Sequence, residues 1–170
     1  DSLVSDTKYK AHIYNAIGVI LESQKDYNSS QEYYKEALEI FEEGDDIFAR
    51  TTAYSNLANN YTNLGRFTEA KEIHNKTISL LEGKDYTNEL PWKYLNLGAT
   101  LMECTQYDSA LVVLKKANTL NTEVSGTSNE LTTVILNHFA DTYIKLKEYQ
   151  KAEEHLTKSI AIAKNLFGIK

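Results

Sequence analysis

The feature that most constrains this chain is a spacing. Tyr14, Ile17, Gly18, Leu21, Tyr27, Ser30, Tyr34 and Ala37 have counterparts in Tyr54, Leu57, Ala58, Tyr61, Phe67, Ala70, His74 and Thr77. The same pattern returns as Tyr94, Leu97, Gly98, Leu101, Tyr107, Ala110, Leu114 and Ala117. It returns a last time as Leu136, Phe139, Ala140, Tyr143, Tyr149, Ala152, Leu156 and Ser159. The step is 40 residues from Tyr14 to Tyr54 and from Tyr54 to Tyr94, then 42 from Tyr94 to Leu136. Large residues three and four apart mark one face of a helix. A fixed period of this size marks stacked units, each with an apolar side that only its neighbour can cover.

The pattern is large–x–x–large–small–x–x–large, then aromatic–x–x–small–x–x–x–large–x–x–small. It resembles the tetratricopeptide repeat, a helix–turn–helix unit, and the resemblance spans nearly the whole chain four times. It implies an all-α, right-handed solenoid of four repeats and eight helices, whose first helices line a concave groove that binds a protein or peptide. Two features depart from the family pattern. The period exceeds the usual length of about 34 residues, and the proline that often closes each unit is missing. A period near 40 is similar to the peptide-receptor and kinesin-light-chain branches and to the repeat regions of bacterial signalling proteins. The expected organisation is one domain over residues 1–170, with repeats near 11–46, 47–86, 90–124 and 130–167.

Periodicity and punctuation predict helices near 5–24, 26–43, 47–63, 67–82, 91–104, 107–121, 130–146 and 149–166. Asp26 is placed to cap the second helix, and Pro91 suits a first helical turn, where its missing N–H costs nothing. Gly44-Asp45-Asp46, Gly65 and Gly83 read as helix stops. Lys84–Glu89 and Thr122–Asn129 read as loops, the latter being the longest polar connection. Ile13, Tyr14, Ile17, Gly18 and Leu21 form the expected buried stripe of the first helix. Gly18, Ala58, Gly98 and Ala140 occupy equivalent places, where helices must approach closely, so a leucine there should overpack. His74 reads as a partly buried packing residue.

Composition removes several function classes. The 18 basic residues are scattered and the formal net charge is −6, which argues against a nucleic-acid partner, since that needs a basic stripe. No apolar run approaches the roughly 20 residues of a membrane span. Cys104 is the only cysteine, so no intrachain disulfide is possible, and it reads as a small buried hydrophobe. There is no glycine-rich phosphate loop and no nucleophile elbow. None of His12, His74, His138 and His155 pairs with another His or Cys at metal-ligand spacing. No catalytic residue, cofactor or metal is therefore expected. A chain that starts at Asp1 reads as a fragment or processed product, a soluble domain from cytoplasm or periplasm.

The candidate binding surface is a row of asparagines beside the packing stripe. Asn15, Asn56, Asn96 and Asn137 fall next to the large–small pair of successive copies, with Asn59 and Asn63 extending the row and His138 beside Asn137. Asparagine costs roughly half a kcal/mol in a helix against alanine, so its repeated use suggests a need for its amide. An amide offers both donor and acceptor and can pair with a peptide backbone. The alternative is that these amides bond neighbouring helices or face water, and the residues alone leave both open. Val19, Trp92, Met102 and Val134 could add apolar contacts, or Trp92 could brace its own turn. The family's basic clamp for a carboxylate tail is missing from these positions. The resemblance implies a peptide-binding scaffold, the sensor or interaction region of a larger bacterial signalling or regulatory protein.

The last helix supplies the alternative. Ile160, Ile162, Leu166, Phe167 and Ile169 are unusually apolar for a terminal repeat, which normally turns a polar face to water. Either another helix of a longer protein covers Ile160, Leu166 and Phe167, or they join a second copy in a homodimer, making the chain a structural assembly module.

Overall fold

A computed structural model describes residues 2–83 and 88–168. The described residues form eight helices and no strand: α1 (Ser2–Ser23), α2 (Tyr27–Glu43), α3 (Ile47–Asn63), α4 (Phe67–Leu81), α5 (Leu90–Glu103), α6 (Tyr107–Ser125), α7 (Glu130–Lys145) and α8 (Tyr149–Phe167). They divide into two compact units, residues 1–80 and 81–170. Most bounds match the periodicity to within two residues. The exceptions are α1, which starts earlier at Ser2, and α6, which continues through Thr122–Ser125, expected to be loop. Those four residues are polar or exposed, and hydropathy cannot distinguish a solvated helix end from a loop. The extension is held instead by Asn121, whose amide Nδ2 donates to Asn129 Oδ1 at 3.2 Å and to Thr132 Oγ1 at 2.9 Å. Of the other expected loop, residues 84–87 lie outside the described residues, as does Ile169.

Caps follow from side-chain chemistry. Asp26, Asp46 and Asn129 accept from the N–H groups of Ser29, Ala49 and Thr132, satisfying donors that have no partner inside the helix. Pro91 falls in the first turn of α5. No described helix is long and apolar enough to cross a membrane.

The turn within each helical pair is the same four times. Lys25, Gly65, Thr105 and Lys147 all have positive φ, between 60° and 73°. The next N–H reaches back five residues to a carbonyl: Asp26 to Leu21, Arg66 to Tyr61, Gln106 to Leu101 and Glu148 to Tyr143, at 2.8–2.9 Å. This closes the helix end by the left-handed Schellman arrangement. Only one of the four positions is glycine, so three turns hold a side chain in a sparsely populated region.

In the first unit α2 packs against α1 and α3 through Ala11, Tyr34, Ala37, Leu38, Phe41, Ala53 and Leu57, all buried in one cluster with Ala70 of α4. Gly18 sets the α1–α2 separation. A Cβ there would lie 2.5 Å from Tyr34 Cε1, and the buried Ser30 hydroxyl donates to the Gly18 carbonyl at 2.8 Å. In the second unit Leu95, Leu114, Leu131, Ile135 and Phe139 form the corresponding cluster. A Cβ on Gly98 would lie 2.8 Å from Leu114 Cδ2.

Three expectations about burial need correction. Ile13 is exposed rather than in the stripe, and so are Tyr149 and Leu156 in the last pair. Ile13 occupies the position of Ala53 and Ile135, which are buried because a preceding helix covers them; no described helix precedes α1. His74 is fully rather than partly buried. Lys93 takes the same position as Ala53 and is buried too, with its ammonium 3.7 Å from Glu89. Desolvation pushes its pKa down despite that carboxylate.

A tyrosine–carboxylate latch recurs 40 residues apart in the chain, at Tyr54 and Tyr94. Tyr54 donates its hydroxyl to Glu42, and Tyr94 to Glu82 at 2.8 Å, each reaching a residue twelve positions back. Lys76 joins the first latch, 3.0 Å from Glu42 and 4.5 Å from the Tyr54 ring centroid. The Tyr54 hydroxyl and the Lys76 ammonium hold the Glu42 carboxyl below its usual range. Burial, then the Glu82 carboxylate, pushes Tyr94 up to about 12.

Two outcomes follow for stability. Gly18→Ala should destabilise by about 1–3 kcal/mol in urea unfolding through overpacking on Tyr34, despite about 1 kcal/mol gained in helix propensity. Thr105→Gly should stabilise, by up to about 1 kcal/mol, by relieving a β-branched residue at positive φ. Titration supplies a third. Tyr94 has a raised folded pKa, so its contribution is complete below the unfolded value near 10 and is lost as pH rises toward 12. Tyr94→Phe should therefore flatten the fall in melting temperature between about pH 10 and 12, with an unchanged curve counting against the latch.

Candidate functional site

The first helix of each pair carries the asparagine row, and each unit places its part differently. In the first unit the Asn56 amide donates to Asn15 Oδ1 at 3.0 Å, linking α3 to α1. Both residues are half-buried. A primary amide has two N–H donors and a carbonyl acceptor, so this bond uses only part of the pair's capacity. Two turns further on, the exposed Asn63 amide donates to Glu22 Oε1 at 2.8 Å. Asn59 is half-buried and Val19 is exposed. The row in this unit thus makes two separate bonds from α3 to α1, Asn56 to Asn15 and Asn63 to Glu22.

Glu22 is the hub, and sequence reasoning missed it. Its other oxygen accepts from the buried Tyr34 hydroxyl at 2.7 Å. Burial first, and then the Glu22 carboxylate, raises the Tyr34 pKa strongly, so the phenol stays a donor. One carboxylate therefore joins the α1–α2 core to the surface amide of α3. The signal available was spacing: Glu22 precedes Tyr34 by twelve residues, as Glu42 precedes Tyr54 and Glu82 precedes Tyr94.

Asn60 was also missed. It lies between two row members yet is fully buried, and its amide donates to the Tyr27 carbonyl at 3.0 Å. Its Oδ1 is buried with no hydrogen-bond partner. One asparagine of this helix, outside the row, is therefore a packing element. Arg66 braces the same region from the next turn, donating to Gln31 Oε1 at 2.5 Å, pairing with Glu69 and lying 4.4 Å from the Tyr61 ring centroid.

In the second unit Asn96 is half-buried, while Asn137 and Trp92 are exposed. His138 donates its Nδ1–H to the Val134 carbonyl at 3.0 Å, which leaves Nε2 as the remaining nitrogen. Met102 and Val134 are half-buried. Among the described residues no three His, Cys, Asp or Glu side chains are grouped to hold a metal ion. A cleft of about 520 Å³ opens elsewhere in the first unit, between the start of α1 and the end of α2, lined by Thr7, Lys8, Ile40, Phe41 and Asp46. Lys8 and Asp46 pair across it at 2.7 Å.

Helical pairs of this length, turn geometry and register define a class of stacked-repeat proteins. The tetratricopeptide repeat family model matches residues 9–83 and 89–165, and the chain belongs to that family. A curated relative, the clustered mitochondria protein homolog of Candida albicans, is 30% identical over 129 residues, which is 74% of this chain and 9% of that protein. The chain thus spans less than a tenth of that relative. Aspartyl phosphate phosphatase F of Bacillus subtilis has a similar structure, with a TM-score of 0.82 and 19% identity over 95% of this chain and 42% of its own. A Rap protein complexed with competence and sporulation factor matches with a TM-score of 0.81 and 18% identity, over 92% of this chain and 43% of its own. At such identity these two structures carry the fold alone.

Substitution should separate the two kinds of asparagine. Asn60→Ala is expected to cost on the order of 1–2 kcal/mol in urea unfolding, because a buried bond is lost. Asn56→Ala should cost less than about 0.5 kcal/mol, as a change at a half-exposed site does.

Proposed function

We infer that this chain is a binding scaffold for a protein or peptide segment, with the first helices of its pairs as the contact surface. The observation that carries this reading is the Asn15–Asn56 bond, which holds two amides at fixed orientation while part of their bonding capacity remains. A preorganised donor–acceptor pair can meet a peptide group without paying much ordering entropy. Val19 beside it, and Trp92 in the second unit, add exposed apolar area. Asn59, Asn63, Asn96, Asn137 and His138 complete the proposed contact set. The Rap protein solved with competence and sporulation factor supports the reading as an example of this fold with a bound factor. Extended to the finer level, the scaffold is the sensor or interaction region of a larger regulatory protein, acting as one domain over residues 1–170.

Calorimetry against a library of extended peptides tests this. Binding is expected for a subset, weakened about tenfold by Asn15→Ala with Asn56→Ala, the loss of about 1.4 kcal/mol. Undiminished binding in the double variant, or no binding by any peptide or isolated partner, would remove the surface from consideration.

A further inference from the structure

The proposed contact surface of the first unit carries a single formal charge. Residues 11–24 and 51–65 hold its contact residues Asn15, Val19, Asn56, Asn59 and Asn63. Those two stretches contain no Lys, Arg or Asp, and one Glu, which is Glu22. Glu22 is half-buried and is held by two neutral donors, the Tyr34 hydroxyl at 2.7 Å and the Asn63 amide at 2.8 Å. Among the described residues no lysine or arginine pairs with it. Other cations of this unit are engaged elsewhere: Arg66 with Gln31 and Glu69, Lys8 with Asp46, and Lys76 with Glu42. Drawing a carboxylate out of water without a counter-ion costs free energy that neutral donors offset only in part. A carboxylate also has about four acceptor directions on its two oxygens, and these two bonds leave the others open.

Glu22 lies on the same seam as the Asn15–Asn56 bond. Asn15 and Glu22 are seven residues apart on α1, as are Asn56 and Asn63 on α3. Residues seven apart return to one face of a helix, and both bonds cross from α3 to α1. At a rise of about 1.5 Å per residue the two bonds stand about 10 Å apart along the helices. An extended segment covers that distance in about three residues, so one short ligand reaches both. Val19 lies between Asn15 and Glu22 in the chain and is 47% exposed. The alkyl stem of a lysine or arginine can cover such an apolar surface while its charged head goes on to a carboxylate.

Resting on the reading of this face as a peptide-binding surface, we propose that Glu22 is its specificity-determining residue. The partner is then a segment bearing a lysine or arginine, whose cation pairs with Glu22 while its backbone meets the Asn15 and Asn56 amides. Tyr34 is the positioning residue. Its hydroxyl holds one carboxylate oxygen from the core side, so the anion meets the ligand already oriented, which lowers the ordering cost of binding. A segment that led with a carboxylate would bring a second anion to a strip that has no cation, and is disfavoured.

Three matched libraries of blocked heptapeptides test this. They are identical except that the central position carries arginine, its neutral isostere citrulline, or glutamate. Each is titrated calorimetrically into the wild-type chain and into Glu22→Gln, with circular dichroism to confirm that the variant keeps its helices. Arginine peptides are expected to bind wild type about tenfold more tightly than citrulline peptides, as a charge-assisted hydrogen bond allows. Glutamate peptides are expected to bind more weakly than either, and the arginine preference to shrink as salt screens it. In Glu22→Gln the arginine affinity is expected to fall to the wild-type citrulline value. The citrulline affinity is expected to stay unchanged, since glutamine can still bond Tyr34 and Asn63. Equal binding of arginine and citrulline peptides by wild type overturns this inference and leaves the scaffold reading standing. So does an arginine preference that survives Glu22→Gln, which assigns the selection to charge elsewhere on the chain. A variant that loses citrulline and arginine peptides alike also overturns it, because Glu22 is then structural only. Binding by none of the three libraries overturns the scaffold reading together with this one.

Discussion

Close approach between the two helices of a pair is the constraint on which the structure depends. At Gly18 and Gly98 the backbone of the first helix lies against Tyr34 and Leu114 with no room for a methyl group. That proximity makes the pair rigid and sets where its other faces point. Tyr34 can then fill the space beside Gly18 and still place its hydroxyl on Glu22 at the surface. A wider separation would leave the ring loosely packed and the carboxylate without its donor. Core and surface are therefore coupled through one side chain.

The polar interactions follow the same period as the packing. The bond from tyrosine to a glutamate twelve residues back recurs at Tyr54 and Tyr94, and the left-handed turn recurs in every pair. The turn shows how repeat geometry overrides local preference. Thr105 and two lysines adopt a conformation that glycine would take more readily, because the returning helix must meet the groove left by a small residue. Lys93 shows the same priority. Its position is a core position in Ala53 and Ile135, and the lysine is buried there with its pKa lowered by desolvation.

The asparagine row divides once side-chain contacts are known. Asn15 and Asn56 bond each other and Asn63 bonds Glu22, while Asn60, outside the row, is a core residue. These differences arise from one or two residues of helical phase. Asn56 and Asn60 are one turn apart, yet Asn60 donates to the Tyr27 carbonyl at the start of α2 while Asn56 donates to Asn15 on α1. A surface that can hold a ligand must keep unspent bonding capacity, and in the first unit the Asn15–Asn56 pair retains it.

The sequence by itself determined the helical pairs, their number, most of their bounds and the small residues at the close contacts. These follow from the spacing of large and small side chains, which any helix converts directly into faces. It also marked α8 as apolar. Only the tertiary structure decided the rest. Ile13 was legible as part of an apolar face but not as an exposed one, because exposure depends on which neighbour is present rather than on the residue. Thr122–Ser125 proved helical because Asn121 reaches Asn129 and Thr132, a bond that hydropathy does not encode. Glu22 became the hub because Tyr34 and Asn63 arrive there from two different helices, and periodicity along one strip of chain is silent about where another strip will end.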